Sequence, residues 1–105
     1  MQRILVVEDN ANLALGLRMN LEHGGFSTDH AVSGEEGLKR VREARFDLMI
    51  LDMMLPGGLD GFQVLTRMKS DAILRDIPVI MISALDEIQS VVRCLETGAD
   101  DYVVK

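Results

Sequence analysis

Leu48-Met49-Ile50-Leu51-Asp52 is an unbroken apolar run closed by an aspartate, and its reading decides the fold. A strand with one face in water alternates apolar and polar side chains. A continuous run means both faces are covered, as in the middle of a parallel sheet. The pattern recurs at Ile4-Leu5-Val6-Val7 and Val79-Ile80-Met81-Ile82, and in shorter form at Tyr102-Val103-Val104. Phe26 to Val32 mixes polar and apolar residues and reads as an edge strand.

Segments with helical spacing separate these runs. Leu13, Leu17 and Leu21 recur at i, i+4, i+8 between Ala11 and His23, with Asn10 as N-cap and Gly24-Gly25 as stop. Leu38 and Val41 share a face between Glu35 and Ala44, after a Ser33-Gly34 turn. Phe62, Leu65 and Met68 line a third helix. Ile88, Val91, Val92 and Leu95 line a fourth from about Asp86 to Thr97, ended by Gly98. Strand and helix thus alternate four times before a fifth strand. This predicts right-handed crossovers and an α/β fold with an open, doubly wound parallel sheet, since five strands are too few for an eight-fold barrel.

Composition narrows the function classes. A length of 105 residues predicts one domain. Hydrophobic residues at 48% and charged residues at 27% suit a soluble globular chain. The net charge of −6 argues against direct binding of nucleic acid or an anionic membrane, which need a basic face. A single cysteine, Cys94, cannot form an internal disulfide or a zinc site, which fits a reducing, cytoplasmic setting. No apolar stretch approaches the roughly 20 residues that span a bilayer, and no signal peptide is visible.

The first polar residue after each run carries the chemistry. Glu8 and Asp9 follow the first run, Asp52 the second, Ser83 the third and Lys105 the last. In an open parallel sheet these strand ends lie along one edge, where ligands bind at the reversal of strand order. Three carboxylates there repel one another, by roughly 4 kcal/mol for a pair at about 4 Å and an effective dielectric of 20. Protonation or a hard cation relieves this, and magnesium suits one or two carboxylates plus waters. An aspartate in such a cluster can attack phosphorus, with magnesium and Lys105 neutralising the transferring oxygens. Each residue alone has a plainer reading. Glu8, Asp9 and Asn10 suit any helix N-terminus, Asp52 any loop, Ser83 a cap and Lys105 a solvated end. Their convergence on one edge is what points to chemistry.

These residues also carry a resemblance. Along essentially its whole length the chain resembles the receiver domain of bacterial two-component response regulators. The matching pieces are Ile4 to Asn10, Phe46 to Asp52, Leu55-Pro56-Gly57 with Asp60-Gly61-Phe62, Pro78 to Ala84, and Gly98 to Lys105. The resemblance implies a flavodoxin-like sheet in order 2-1-3-4-5, with residues 1–105 forming the phosphoacceptor domain. It implies Asp52 as the phosphorylated residue. It assigns magnesium to Asp9, to Glu8 through a water, to Asp52 and to the Met54 carbonyl. Ser83 and Lys105 would contact the phosphoryl group, and the small Ala84 would leave it access. Ser83 and Tyr102 would form the switch that alters the helix 4 and strand 5 surface. The donor would be a phosphohistidine on a sensor histidine kinase or phosphotransfer protein. The domain would catalyse only its own phosphorylation and dephosphorylation.

Two departures from the family set further expectations. Pro56-Gly57-Gly58-Leu59-Asp60-Gly61 carries one residue more than the usual spacing, which is expected to bulge outward. The chain also stops at Lys105, where the family continues into a fifth helix. The reading is a truncated receiver whose first, third and fifth strands lose apolar cover. Self-association through that face is expected, and beyond residue 105 an output domain and a single-domain regulator fit equally. A phosphorylation-independent interaction module is the alternative reading. A phosphatase or mutase with an aspartate nucleophile would need a substrate-holding cap, and no segment is long enough for one.

Overall fold

The computed structural model describes residues 2–84 and 88–105. Its strands are β1 (Arg3–Val7), β2 (Ser27–Ala31), β3 (Leu48–Asp52), β4 (Val79–Ser83) and β5 (Asp101–Val104). Its helices are α1 (Ala11–His23), α2 (Gly34–Glu43), α3 (Gly61–Lys69) and α4 (Ile88–Thr97). The strands form one parallel sheet, as the apolar runs predict, in the order β2-β1-β3-β4-β5 that the resemblance implies.

Alternate residues of the central runs feed two cores. Leu5, Val7, Met49, Leu51, Val79 and Met81 are buried with Leu38 and Val41 of α2, Leu65 and Met68 of α3 and Cys94 of α4. Ile4, Val6, Ile50 and Ile82 are buried against Ala14, Leu17 and Leu21 of α1. Each fully buried large side chain contributes about 1.5–3 kcal/mol, so the double coverage is what selects the sheet.

Local signals set the helix ends. Asn10 caps α1 through the Asn12 and Leu13 amides, and Ser33 caps α2 through that of Glu36. Asp60 and Gln63 form a reciprocal capping box at the start of α3.

The structure corrects three sequence expectations. β2 is shorter than Phe26 to Val32, and both of those residues are exposed. The buried face of α4 is Val91 with Cys94, whereas Val92 and Leu95 are exposed. At 100° per residue, positions 91 and 94 face the sheet together and 92 and 95 fall on the flank. The expected start at Asp86 and the side chain of Ile88 lie outside the described residues. Finally, β1 and β3 keep their cover, because α1 lies over Ile4, Val6 and Ile50. All four residues of β5 are exposed and Ile80 is half-buried, so only that end of the sheet follows the expectation of lost cover.

Two glycines should respond oppositely to alanine. A Cβ on Gly16, within α1, would meet nothing within 4 Å, so Gly16→Ala should raise the unfolding free energy by about 0.5–1 kcal/mol through helix propensity. A Cβ on Gly61 would strike the Asp52 carbonyl and lie 2.8 Å from the Met53 Cα, so Gly61→Ala should lower it by about 1–3 kcal/mol. Urea titration of the two variants checks both signs.

Candidate functional site

Parallel pairing brings the sequence-selected residues to one edge. Glu8 directly follows β1, Asp52 ends β3, Ser83 ends β4 and Lys105 directly follows β5. Backbone bonds fix the ends against each other. The Glu8 amide donates to the Ala31 carbonyl at 3.0 Å, that of Met53 to Ile82 at 2.9 Å and that of Lys105 to Ser83 at 2.7 Å.

Glu8, Asp52 and Ser83 are fully buried. The Lys105 ammonium lies 3.0 Å from Asp52 Oδ2 and 3.6 Å from Glu8 Oε1. The first is a charge-assisted hydrogen bond, and the second is too long for one. The remaining carboxylate oxygens are held by backbone: the Met54 amide donates to Asp52 Oδ1 at 3.2 Å and the Asn10 amide to Glu8 Oε2 at 3.1 Å. Glu8 Oε1 and Ser83 Oγ have no hydrogen-bond partner among the described residues.

Burial, with the neighbouring Asp52 carboxylate adding to it, pushes the Glu8 pKa up to about 7. For Lys105, burial works downward, but the hydrogen bond and charge of Asp52, together with Glu8, outweigh it and the pKa ends above its ordinary value. Glu8, Asp9 and Asp52 each offer a carboxylate oxygen, and all three lie within 4.8 Å of one another. The cluster pairs a hard-oxygen donor set with a buried, unsatisfied Glu8 oxygen, which fits a small divalent cation such as magnesium.

The other expected residues lie around this centre. Met54 is exposed at the start of the β3–α3 loop, and Ala84 follows Ser83, half-buried. Tyr102 stands opposite Met81 in the β4–β5 register and is exposed. His30 is not among the residues that the strand-end rule singles out. It is half-buried on β2, and its Nε2 lies 2.6 Å from the Glu8 carbonyl. A carbonyl only accepts, so Nε2 carries the proton.

The raised Glu8 pKa has a definite sign for stability. A carboxyl that holds its proton more tightly folded than unfolded contributes stability that is full below about pH 4.5 and lost as pH rises through about 7. In calorimetry without divalent cations, Tm should fall by about 5 °C or more between roughly pH 5 and pH 8. Glu8→Gln, neutral throughout, should flatten that fall.

Comparison with known proteins accords with this geometry. Residues 4–105 match the family model described as the response regulator receiver domain. The chain is 44% identical over 104 residues to the phosphate regulon transcriptional regulatory protein PhoB of Klebsiella pneumoniae, covering 99% of this chain and 45% of that protein. It is 43% identical to the DNA-binding response regulator MtrA of Mycolicibacterium paratuberculosis, covering 99% of this chain and 44% of that protein. It therefore spans less than half the length of these curated relatives. Among solved structures, the signal receiver domain of a signal transduction histidine kinase from Syntrophus aciditrophicus superposes with a TM-score of 0.90 at 38% identity, over 100% of this chain and 79% of that one. The response regulator TrrA of Thermotoga maritima, in complex with Mg(2+)-BeF, gives 0.87 at 35% identity, over 100% and 87%. The chain belongs to the response regulator receiver family of two-component systems.

Proposed function

We propose that the chain is a phosphoacceptor switch in which Asp52 takes a phosphoryl group from a phosphohistidine, and that residues 1–105 form the unit that performs this step. The observation that carries the reading is the convergence of a buried Asp52 with Glu8, Asp9 and Lys105 beside an unpartnered Ser83 hydroxyl.

In the proposed reaction one Asp52 oxygen attacks phosphorus, the O–P bond forms and the P–N bond to the donor imidazole breaks. Lys105, 3.0 Å from Asp52 Oδ2, is the cation that follows the charge onto the transferring oxygens. Ser83 Oγ, free of other partners among the described residues, can then donate to a phosphoryl oxygen. Glu8 by way of a water, Asp9, Asp52 and the Met54 carbonyl would hold magnesium, which when bound supplies neutralisation of the carboxylate cluster and the phosphoryl charge. Ala84 would leave the phosphoryl group room. Inward movement of Ser83, followed by the exposed Tyr102, would change the α4–β5 surface.

Water attack on the aspartyl phosphate returns the domain to rest, so its only turnover is of its own modification. The donor is a sensor histidine kinase or a phosphotransfer protein. The names of PhoB and MtrA suggest that nucleic acid is reached by an output unit of the same polypeptide, since this domain is acidic. No helix among the described residues is long and apolar enough to cross a membrane.

Intact-mass spectrometry after incubation with acetyl phosphate tests the reading. A gain of roughly 80 Da, one phosphoryl group, should require magnesium and vanish in Asp52→Asn. Lys105→Ala should slow the gain by roughly 100-fold. A gain that persists in Asp52→Asn, or no gain in folded protein with magnesium, would sink it.

A further inference from the structure

The β3–α3 loop is pinned at two places. At its end nearest Asp52, the Gly61 amide donates to the Met53 carbonyl at 3.1 Å and the Met54 amide to Asp52 Oδ1 at 3.2 Å. At its far end it lies against the first turn of α2. The Leu59 amide donates to Glu35 Oε2 at 3.0 Å. A Cβ on Gly58 would run into the same carboxylate. A Cβ on Gly34 would sit 2.8 Å from the Leu59 carbonyl oxygen and 3.1 Å from its Cβ. Gly57 turns the loop with φ +71°, and Asp60 then caps α3.

We propose that Glu35 is a positioning residue: its carboxylate clasps Gly58 and Leu59 and so fixes the loop that carries the Met54 carbonyl toward the magnesium and phosphoryl site. The proposal rests on the magnesium-dependent reading above. An exposed glutamate in the first turn of a helix has an ordinary use, since it complements the helix dipole without any partner. Glu35 does more, because it reaches a backbone amide 24 residues away and occupies the space that only a glycine at 58 leaves open. A loop held only at the end nearest Asp52 keeps many conformations, so a second anchor is what restricts the Met54 carbonyl to one of them. Groups that orient metal ligands from outside the coordination sphere typically change affinity by about 10- to 100-fold when removed. Glu35 acts through backbone, which puts it at the low end of that range.

The test is a magnesium titration followed by backbone amide NMR on the whole chain, with amide exchange measured on the metal-free protein. E35A should raise the half-saturating magnesium concentration by roughly tenfold and speed exchange of the Leu59 amide, with little change in Tm. E35Q, which keeps the acceptor oxygen and loses the charge, should stay within about twofold of the unsubstituted chain, as expected if the hydrogen bond rather than the charge does the positioning. If E35A titrates like the unsubstituted chain, the clasp is wrong and the magnesium reading stands. If E35Q weakens binding as much as E35A, charge is responsible and the clasp is equally wrong. If the unsubstituted chain shows no magnesium-dependent shifts, the underlying reading fails and the clasp falls with it.

Discussion

Two buried carboxylates, Glu8 and Asp52, face one ammonium group, and the carboxyl edge of the sheet is organised around that imbalance. A like-charged pair at about 4 Å costs roughly 4 kcal/mol at an effective dielectric of 20, and burial adds desolvation to that cost. Lys105 offsets part of it, more for Asp52 at 3.0 Å than for Glu8 at 3.6 Å. Burial, with the Asp52 carboxylate beside it, favours the protonated Glu8 carboxyl and moves its pKa up to about 7. A site that needs a proton to balance its charge can exchange that proton for a cation near neutral pH. Burial of the two carboxylates side by side therefore underlies both the raised pKa and the affinity proposed for magnesium.

The partners in this balance are held with unequal firmness. Glu8 and Asp52 stand on β1 and β3, whose runs are covered on both faces. Lys105 follows β5, an edge strand whose residues are all exposed. Buried central strands open only with the whole fold, whereas sparsely covered elements open at lower cost. The acids are thus fixed by the core, while the cation is delivered by a strand held mainly through its ladder with β4. That ladder ends in the bond from Lys105 to the Ser83 carbonyl, so a change felt at Ser83 reaches Lys105 through one hydrogen bond. Tyr102 lies on the same strand and pairs with Met81 in the same ladder.

The sheet was legible because burial on both faces leaves an unmistakable mark, the unbroken apolar run. The edge cluster was legible for a related reason: a strand that is apolar throughout makes the first polar residue after it conspicuous. Glu8, Asp52, Ser83 and Lys105 all follow from that rule. Where a face is only partly covered, the sequence says less. Val92 and Leu95 are as apolar as Val91, and only the docking of α4 decides which of them is buried. His30 carries no such mark because β2 is an edge strand with mixed polarity, where one more polar residue is unremarkable. The grip of Glu35 on Leu59 joins a side chain to a backbone amide. Every non-proline residue carries such a donor, so no residue type marks it.

Buried polar atoms without partners show how the site differs from the core beneath it. Leaving one unsatisfied costs about 1–3 kcal/mol, so a fold optimised for stability alone would fill the positions of Glu8 and Ser83 with apolar side chains. Folds retain such costs where function requires them and offset them elsewhere, here through the two hydrophobic cores that meet the sheet from opposite faces. The unpartnered atoms are also chemically specific. Ser83 Oγ is a donor in want of an acceptor, and Glu8 Oε1 is an acceptor in want of a cation or a proton. A phosphoryl group on Asp52 would bring the acceptor oxygens, and a divalent ion would bring the charge. Both deficits lie beside Asp52, which is held between a backbone amide and an ammonium. Each addition would thus satisfy a group the resting fold leaves wanting, and the resulting gain in free energy is available to bias Ser83, and the strand bonded to it, toward a second arrangement.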